Sequence, residues 1–266
     1  MKEHSYLMEH PEEAFRLDLK TDRERLIQQA VWAGLKPGMR VLDLGCGSGK
    51  TTAFFQDYVQ PGGKVVGLDG SPERIEHARR LHAAGGAEFV CGNFYEPLDA
   101  LGEFDFIWVR FVLEYHREGA FEIVRNVARN LKRGGILCLA DLDHNSLNHY
   151  GMPPRLERAM QGVMQGLEAG GFDPRIGRKL YAYLYDLGLG GIRVDLQAHH
   201  LIYGGLNPVD EYNWKKKVEI SAARSGYDFP EYPGGIKEFD AEFNAFFADP
   251  RRFTYTPLIL VRGEKA

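Results

Sequence analysis

Over its first 145 residues the chain alternates short apolar runs with segments whose apolar residues recur every three or four positions. Val41–Leu44, Val65–Leu68, Ala87–Cys91, Phe106–Val109 and Ile136–Ala140 read as buried strands, because a continuous apolar run suits a parallel strand covered on both faces. Helical spacing predicts a helix over Thr51–Val59 and another after Asp69 with Ile75, Ala78 and Leu81 on its core face. Ser71-Pro72-Glu73 supplies that second helix with an N-cap, a proline at its first position and an early acid. Phe121, Val124, Val127, Ala128 and Leu131 form a third stripe, which Gly134-Gly135 are expected to end. Apolar Ala14, Phe15 and Leu19, then Leu26, Ile27, Ala30, Val31 and Leu35, put two helices at 11–35, ahead of the first strand. Strands alternating with helices predict an α/β fold with a parallel, Rossmann-like sheet.

Beyond residue 145 that alternation stops. Pro153-Pro154 open a helix through Leu167, Gly177–Leu187 form another, and Gly191–Tyr203 reads as a strand. Asn207-Pro208 open helical segments to about Ser225, followed by a loop at 230–235, a helix over 236–248 and a closing strand at Phe253–Val261. This half is rich in aromatics, among them Tyr181, Tyr183, Tyr185, Tyr212, Trp214, Phe243, Phe246 and Phe247. Most read as core, and a minority lining a pocket would suit an apolar small molecule. Lys215-Lys216-Lys217 reads as a solvated helix face.

With 266 residues, 44% of them hydrophobic, the chain can bury one large core with a cap, and without an internal repeat or linker residues 1–266 read as a single domain. Net charge is −4, and residues 151–266 hold fifteen basic and fifteen acidic side chains, a balance that argues against a nucleic-acid partner. Cys46, Cys91 and Cys138 stand singly on or beside the expected strands, as small core residues of a reducing compartment would. Met1-Lys2-Glu3-His4 starts no apolar targeting segment and no eighteen-residue apolar run follows, so the expectation is a cytoplasmic protein without membrane insertion.

The candidate chemistry lies in Val41-Leu42-Asp43-Leu44-Gly45-Cys46-Gly47-Ser48-Gly49-Lys50, a strand that runs into a glycine turn and then a helix. A phosphate-binding loop would end in Gly49-Lys50-Thr51, but its required first glycine falls on Leu44. A dinucleotide fingerprint is matched in part, its third glycine coming one residue early. What fits is Asp43 followed by Gly45-x-Gly47-x-Gly49, with a second acid, Asp69, ending the next strand. A carboxylate there can accept both hydroxyls of a ribose, a contact worth on the order of 1.5–3 kcal/mol. Nicotinamide dinucleotide also carries such a ribose, so Asp69 alone does not discriminate.

This stretch resembles motif I of the class I S-adenosylmethionine (SAM) dependent methyltransferases, and the whole is most similar to their UbiE-like, small-molecule members. The resemblance implies a seven-stranded, mostly parallel sheet with helices on both faces and an antiparallel last strand. It also implies a SAM-binding core at 36–144, cap insertions at 145–175 and 205–250, and final strands at 190–203 and 253–262. By the same resemblance the turn of Asp43, Gly45, Cys46, Gly47 and Gly49 accommodates the amino-acid part of SAM, while Asp69 with Gly70 holds the ribose. Asn93 stands where the family usually has an acid for the adenine amine, and Phe94 can stack on the purine. Glu13-Ala14-Phe15-Arg16-Leu17 resembles a signature whose arginine, here Arg16, binds the SAM carboxylate, and Tyr6 could close over the cofactor. Arg110 opens the segment Arg110–His116, which resembles motif IV; Tyr115 stands where a histidine usually falls, and His116 follows it.

Asp141-Leu142-Asp143-His144-Asn145 ends the fifth strand, where ligands of open α/β sheets sit. Asp143 or His144 could deprotonate an acceptor. The structural alternative pairs Asp141 with Arg178 and leaves His144 shaping a loop, since methyl transfer often needs only positioning and desolvation. The function implied is transfer of a methyl group from SAM to a small molecule, with S-adenosylhomocysteine as product, by a monomer or homodimer. An NAD-dependent oxidoreductase and a SAM-binding protein without methyl transfer stay open beside it. No metal is expected, because His144, His149, His199 and His200 lack ligand spacing.

Overall fold

The computed structural model describes residues 22–266, so the first of the two expected N-terminal helices, with Arg16 and Tyr6, lies outside the described residues. Helix α1 (Arg23–Ala33) precedes β1 (Arg40–Leu44), α2 (Lys50–Val59), β2 (Lys64–Asp69), α3 (Pro72–His82), β3 (Glu88–Cys91), β4 (Phe104–Arg110), α4 (Ala120–Ala128) and β5 (Leu131–Leu142). Then come β6 (His149–Tyr150), α5 (Pro154–Ala169), α6 (Leu180–Asp186), β7 (Gly190–Tyr203), α7 (Pro208–Arg224), α8 (Ile236–Ala248) and β8 (Phe253–Glu264). The sheet order is β3-β2-β1-β4-β5-β8, with β7 and the two-residue β6 both paired to β8. Strands β1 to β5 are parallel, and β8 runs antiparallel to both β5 and β7. Among the described residues, seven strands of four or more residues build the expected α/β sheet, and β6 is an eighth that the sequence pattern does not announce.

Side-chain alternation between two covered faces explains why the central strands read as mostly apolar runs, broken in β1 by Asp43. Leu42, Leu44, Ile107 and Val109 point to the side covered by Ile123, Val124 and Val127 of α4 and Leu180 and Leu184 of α6. Val41, Phe106 and Trp108 point to the other, under Leu26 and Ala30 of α1 and Phe55 and Val59 of α2. Helices α5, α7 and α8 build a separate apolar cluster from Leu156, Met160, Trp214, Phe239, Phe243 and Phe247. This places a second core above the sheet's last strands, in the half where the simple alternation ends.

Three local expectations need correction. Leu81 is 53% exposed, because from Ile75 two full turns lead to position 82, so His82 and not Leu81 turns toward Phe89, at a ring distance of 6.4 Å. Gly134-Gly135 do not end α4, which stops at Ala128; they lie in an irregularity of β5 between the pairs Phe104–Leu131 and Phe106–Ile136, and Gly134 takes φ +73° there. Cys91 is exposed, because it is the last residue of β3, the sheet's edge strand, while Cys46 and Cys138 are buried.

Candidate functional site

Strand β1 delivers the chain into a turn in which Gly45, Gly47 and Gly49 all take positive φ, at +76°, +54° and +84°. Such backbone favours glycine, and a Cβ at Gly45 would stand 2.3 Å from Cγ2 of Val112. The turn is fixed to β2 by Gly45 and Cys46 N–H groups donating to the Leu68 carbonyl at 2.7 and 3.1 Å. Gly49 is the N-cap of α2, so the positive end of that helix faces the turn. Cys46 packs with Ile75, Ala78 and Phe89, and burial pushes its thiol pKa up.

The candidate cofactor residues converge on this turn. Asp69, at the end of β2, accepts from Gly47 N–H at 2.9 Å through Oδ2 and from Ser71 N–H at 2.9 Å through Oδ1, with Arg74 Nε 3.7 Å away. A carboxylate offers about four acceptor positions, so two remain after these backbone donors. Gly70 beside it has open space toward Gly92, whose carbonyl would lie 3.8 Å from an added Cβ. Asp43 is buried and accepts from Thr52 Oγ1 at 2.6 Å. Burial pushes its pKa up to about 7, against the Thr52 hydrogen bond and the charge of Arg110, which both favour the carboxylate. Arg110 ends β4 with its guanidinium 4.1 Å from the centroid of the Phe111 ring. Burial lowers its pKa to about 10, although Asp43 and Asp141 act to raise it, and its Nε has no hydrogen-bond partner among the described residues.

Other expected residues are engaged differently. Asn93 is exposed and closes a turn, its Oδ1 accepting from Tyr95 N–H at 3.0 Å while its amide donates to Glu96. Phe94 stands edge-on to His116 at 6.0 Å, and His116 turns to the Tyr95 hydroxyl at 3.0 Å. Tyr115 packs on Phe172 beside the cap cluster.

Around the end of β5 the expected partner of Arg178 changes. Arg178 does not pair with Asp141; it grips Asp143 with two parallel hydrogen bonds of 2.9 Å, so both oxygens of that candidate base are held. His144 stands next to it with φ +51°, in a turn closed by its carbonyl accepting from Leu147 N–H. Asp141 is instead buried, accepting from the N–H groups of Leu113, Glu114 and Leu142. Burial and the neighbouring Glu114 charge raise its pKa well above the usual carboxylate range.

A network without a sequence signature joins the cap to the end of β5. Buried Glu114 accepts from Asn145 at 2.7 Å, and Asn145 in turn accepts from Lys217 of α7, which also lies 5.0 Å from the centroid of the Trp214 ring. Lys215 and Lys216 pair on their own helix with Glu211 and Glu219, but Lys217 turns inward and links the cap to the end of the sheet. The only hint in the sequence is an acid inside the otherwise apolar Phe111–Tyr115 segment.

Residues 41–135 match the family model of a methyltransferase domain. That part of the chain, which carries the glycine turn, Asp69 and Arg110, is where it is similar to a methyltransferase domain, and the fold around it is Rossmann-like. An uncharacterized methyltransferase of Synechocystis is 36% identical over 121 residues, covering 45% of this chain and 54% of the relative. The demethylmenaquinone methyltransferase of Lactococcus lactis is 31% identical over 116 residues, covering 42% and 46%. The chain spans about half the length of these curated relatives. Among solved structures, the YcgJ protein of Bacillus subtilis superposes with a TM-score of 0.56 at 18% identity, covering 92% of this chain and 100% of the other, a likeness of fold. Among the described residues no helix is long and apolar enough to cross a membrane.

Proposed function

We propose that this protein transfers a methyl group from SAM to a small-molecule acceptor. The observation that carries the reading is the positive-φ glycine turn closed onto Asp69, with a half-buried arginine at the end of the neighbouring strand. The residues fit the cofactor by charge as well as shape. Asp69 on the turn side offers acceptors to a ribose, and Arg110 on β4 offers a donor to an amino-acid carboxylate, so both ends of the cofactor meet a group of matching sense. SAM, when bound, supplies a methyl group on positively charged sulfur.

The chain's own residues hold and orient. Asp69 keeps two acceptor positions for ribose hydroxyls, and Gly45, Gly47 and Gly49 let the backbone come close to the ligand. Arg110 has an unused Nε donor for an anionic group such as a carboxylate. With both oxygens of Asp143 held by Arg178, the reading draws on positioning and exclusion of water and assigns no proton transfer to Asp143.

A small acceptor is supported by the charge balance of residues 151–266 and by the pairing of Lys215 and Lys216 within their own helix. Ribosomal RNA methyltransferases also occur among the relatives. Three free cysteines suit a reducing compartment such as the cytoplasm. The test is release of S-adenosylhomocysteine from SAM with a metabolite extract and, separately, with ribosomal RNA. Turnover with the extract alone supports the reading, and turnover with RNA alone overturns the small acceptor. SAM binding without turnover in either would leave a SAM-binding protein that transfers no methyl group.

A further inference from the structure

The last strands of the sheet carry an apolar face that no other described residue covers. In their register Leu201 stands opposite Tyr255, Leu196 opposite Ile259, and Phe253 opposite both Tyr203 and Tyr150. Directly opposed residues of antiparallel strands share a face, and residues two apart along a strand do too, so these side chains form one surface. The other face of the same strands carries Thr254, Thr256, His200 and Ile202, all buried. On the open face Tyr150 is 74% exposed, Leu196 67%, Tyr203 65%, Leu201 54%, Tyr255 44% and Phe253 41%. The Tyr203 and Phe253 rings stack at 6.5 Å, and Phe253 meets Tyr255 at 5.9 Å.

Counting roughly 200 Å² for each such side chain when fully exposed, on the order of 700 Å² lies open here. A soluble monomer's largest apolar patch is about 300–600 Å², and one partner of a stable complex contributes about 800 Å². The patch therefore exceeds what a monomer ordinarily leaves bare and approaches what a dimer requires. No charged side chain occupies these face positions on β6, β7 or the Phe253–Ile259 part of β8. A two-fold axis sets a patch against its own copy, where any charge would meet its like, so an uncharged patch is self-complementary. A lipid surface suits it less, because interfacial anchors flank their apolar residues with lysine and arginine, and the exposed Arg251 beside Phe253 is neutralised by Asp249 at 2.6 Å.

We propose that this face is the interface of a homodimer, two copies of the chain packing patch on patch about a two-fold axis. The test is the solution mass of the full chain by light scattering, between about 1 and 100 μM. The expected mass is twice 30.1 kDa, reduced to a single chain in the double variant Leu201→Glu with Tyr203→Glu. Leu81→Glu, a comparably exposed leucine on α3, should leave the dimer intact. A wild type that stays at one chain throughout, or a folded double variant that stays dimeric, overturns the proposal. If the double variant does not fold, hydrogen exchange on the wild type decides. Protection at 201–203 and 253–255 that rises with concentration supports the interface, and protection that does not change overturns it. Flotation of a single-chain wild type with anionic vesicles would overturn it in favour of a membrane surface.

Discussion

The N–H of Gly47 donates to Oδ2 of Asp69 at 2.9 Å, so the turn after the first strand and the acid that ends the second are one construction. Replacing Asp69 by Ala removes that closure together with the proposed ribose contacts. SAM affinity measured by calorimetry should fall by roughly tenfold or more. An unchanged affinity would show that this carboxylate does not face the ligand.

Gly45→Ala tests the turn itself. Its φ of +76° and the 2.3 Å approach of Val112 Cγ2 both oppose a Cβ, and the expected loss is about 1–3 kcal/mol in a denaturant titration. Adding Val112→Ala should recover the part due to contact but not the part due to φ. Full recovery would show that the backbone conformation is not strained by a side chain.

Asp43 gives a pH dependence of definite sign in the cofactor-free protein. Burial raises its pKa from 3.8 to about 7, so between those values the folded state holds a proton that the unfolded state has released. Stability from this group is fully present below about pH 4, falls as pH rises to about 7, and is flat above. His149 acts in the opposite sense, because burial lowers its pKa to about 4 and its contribution grows from there to about 6.5. Asp43→Asn keeps an acceptor for Thr52 and leaves His149 in place, so subtracting the two melting curves isolates Asp43. The variant should gain on the wild type by a few kcal/mol from pH 4 to pH 7.5. A difference independent of pH would contradict the buried, proton-holding carboxyl.

Asp143 and Arg178 separate a structural pair from a base. With the Arg178 side chain about half exposed, the pair should contribute no more than about 1 kcal/mol to stability. Once an acceptor is known, Asp143→Asn should keep kcat within a few-fold and leave its pH profile unchanged. A hundredfold loss with the acidic limb removed would restore Asp143 to the role of base.

The strands and the glycine turn were legible because both rest on local pattern. Phe106–Val109 is apolar throughout, and Val41–Leu44 is apolar except for Asp43, since both sheet faces are covered, and alternate glycines mark the positive-φ positions. Local pattern failed where partners are far apart in sequence. Arg178 reaches Asp143 across 35 positions and Lys217 reaches Asn145 across 72, and nothing in either neighbourhood encodes the choice of Asp143 over Asp141. Leu81 misled because a three-residue step drifts off the helix's buried stripe within two turns. The exposed face of β7 and β8 was likewise invisible, since alternation shows which residues share a face but not which face is covered.

Calorimetric titration of the full chain with SAM and, separately, with NADH tests the central claim most directly. The geometry of the turn, Asp69 and Arg110 predicts saturable one-site binding of SAM, displaced by S-adenosylhomocysteine, and no heat with NADH. Binding of NADH with none of SAM would contradict the account and make this crevice a dinucleotide site.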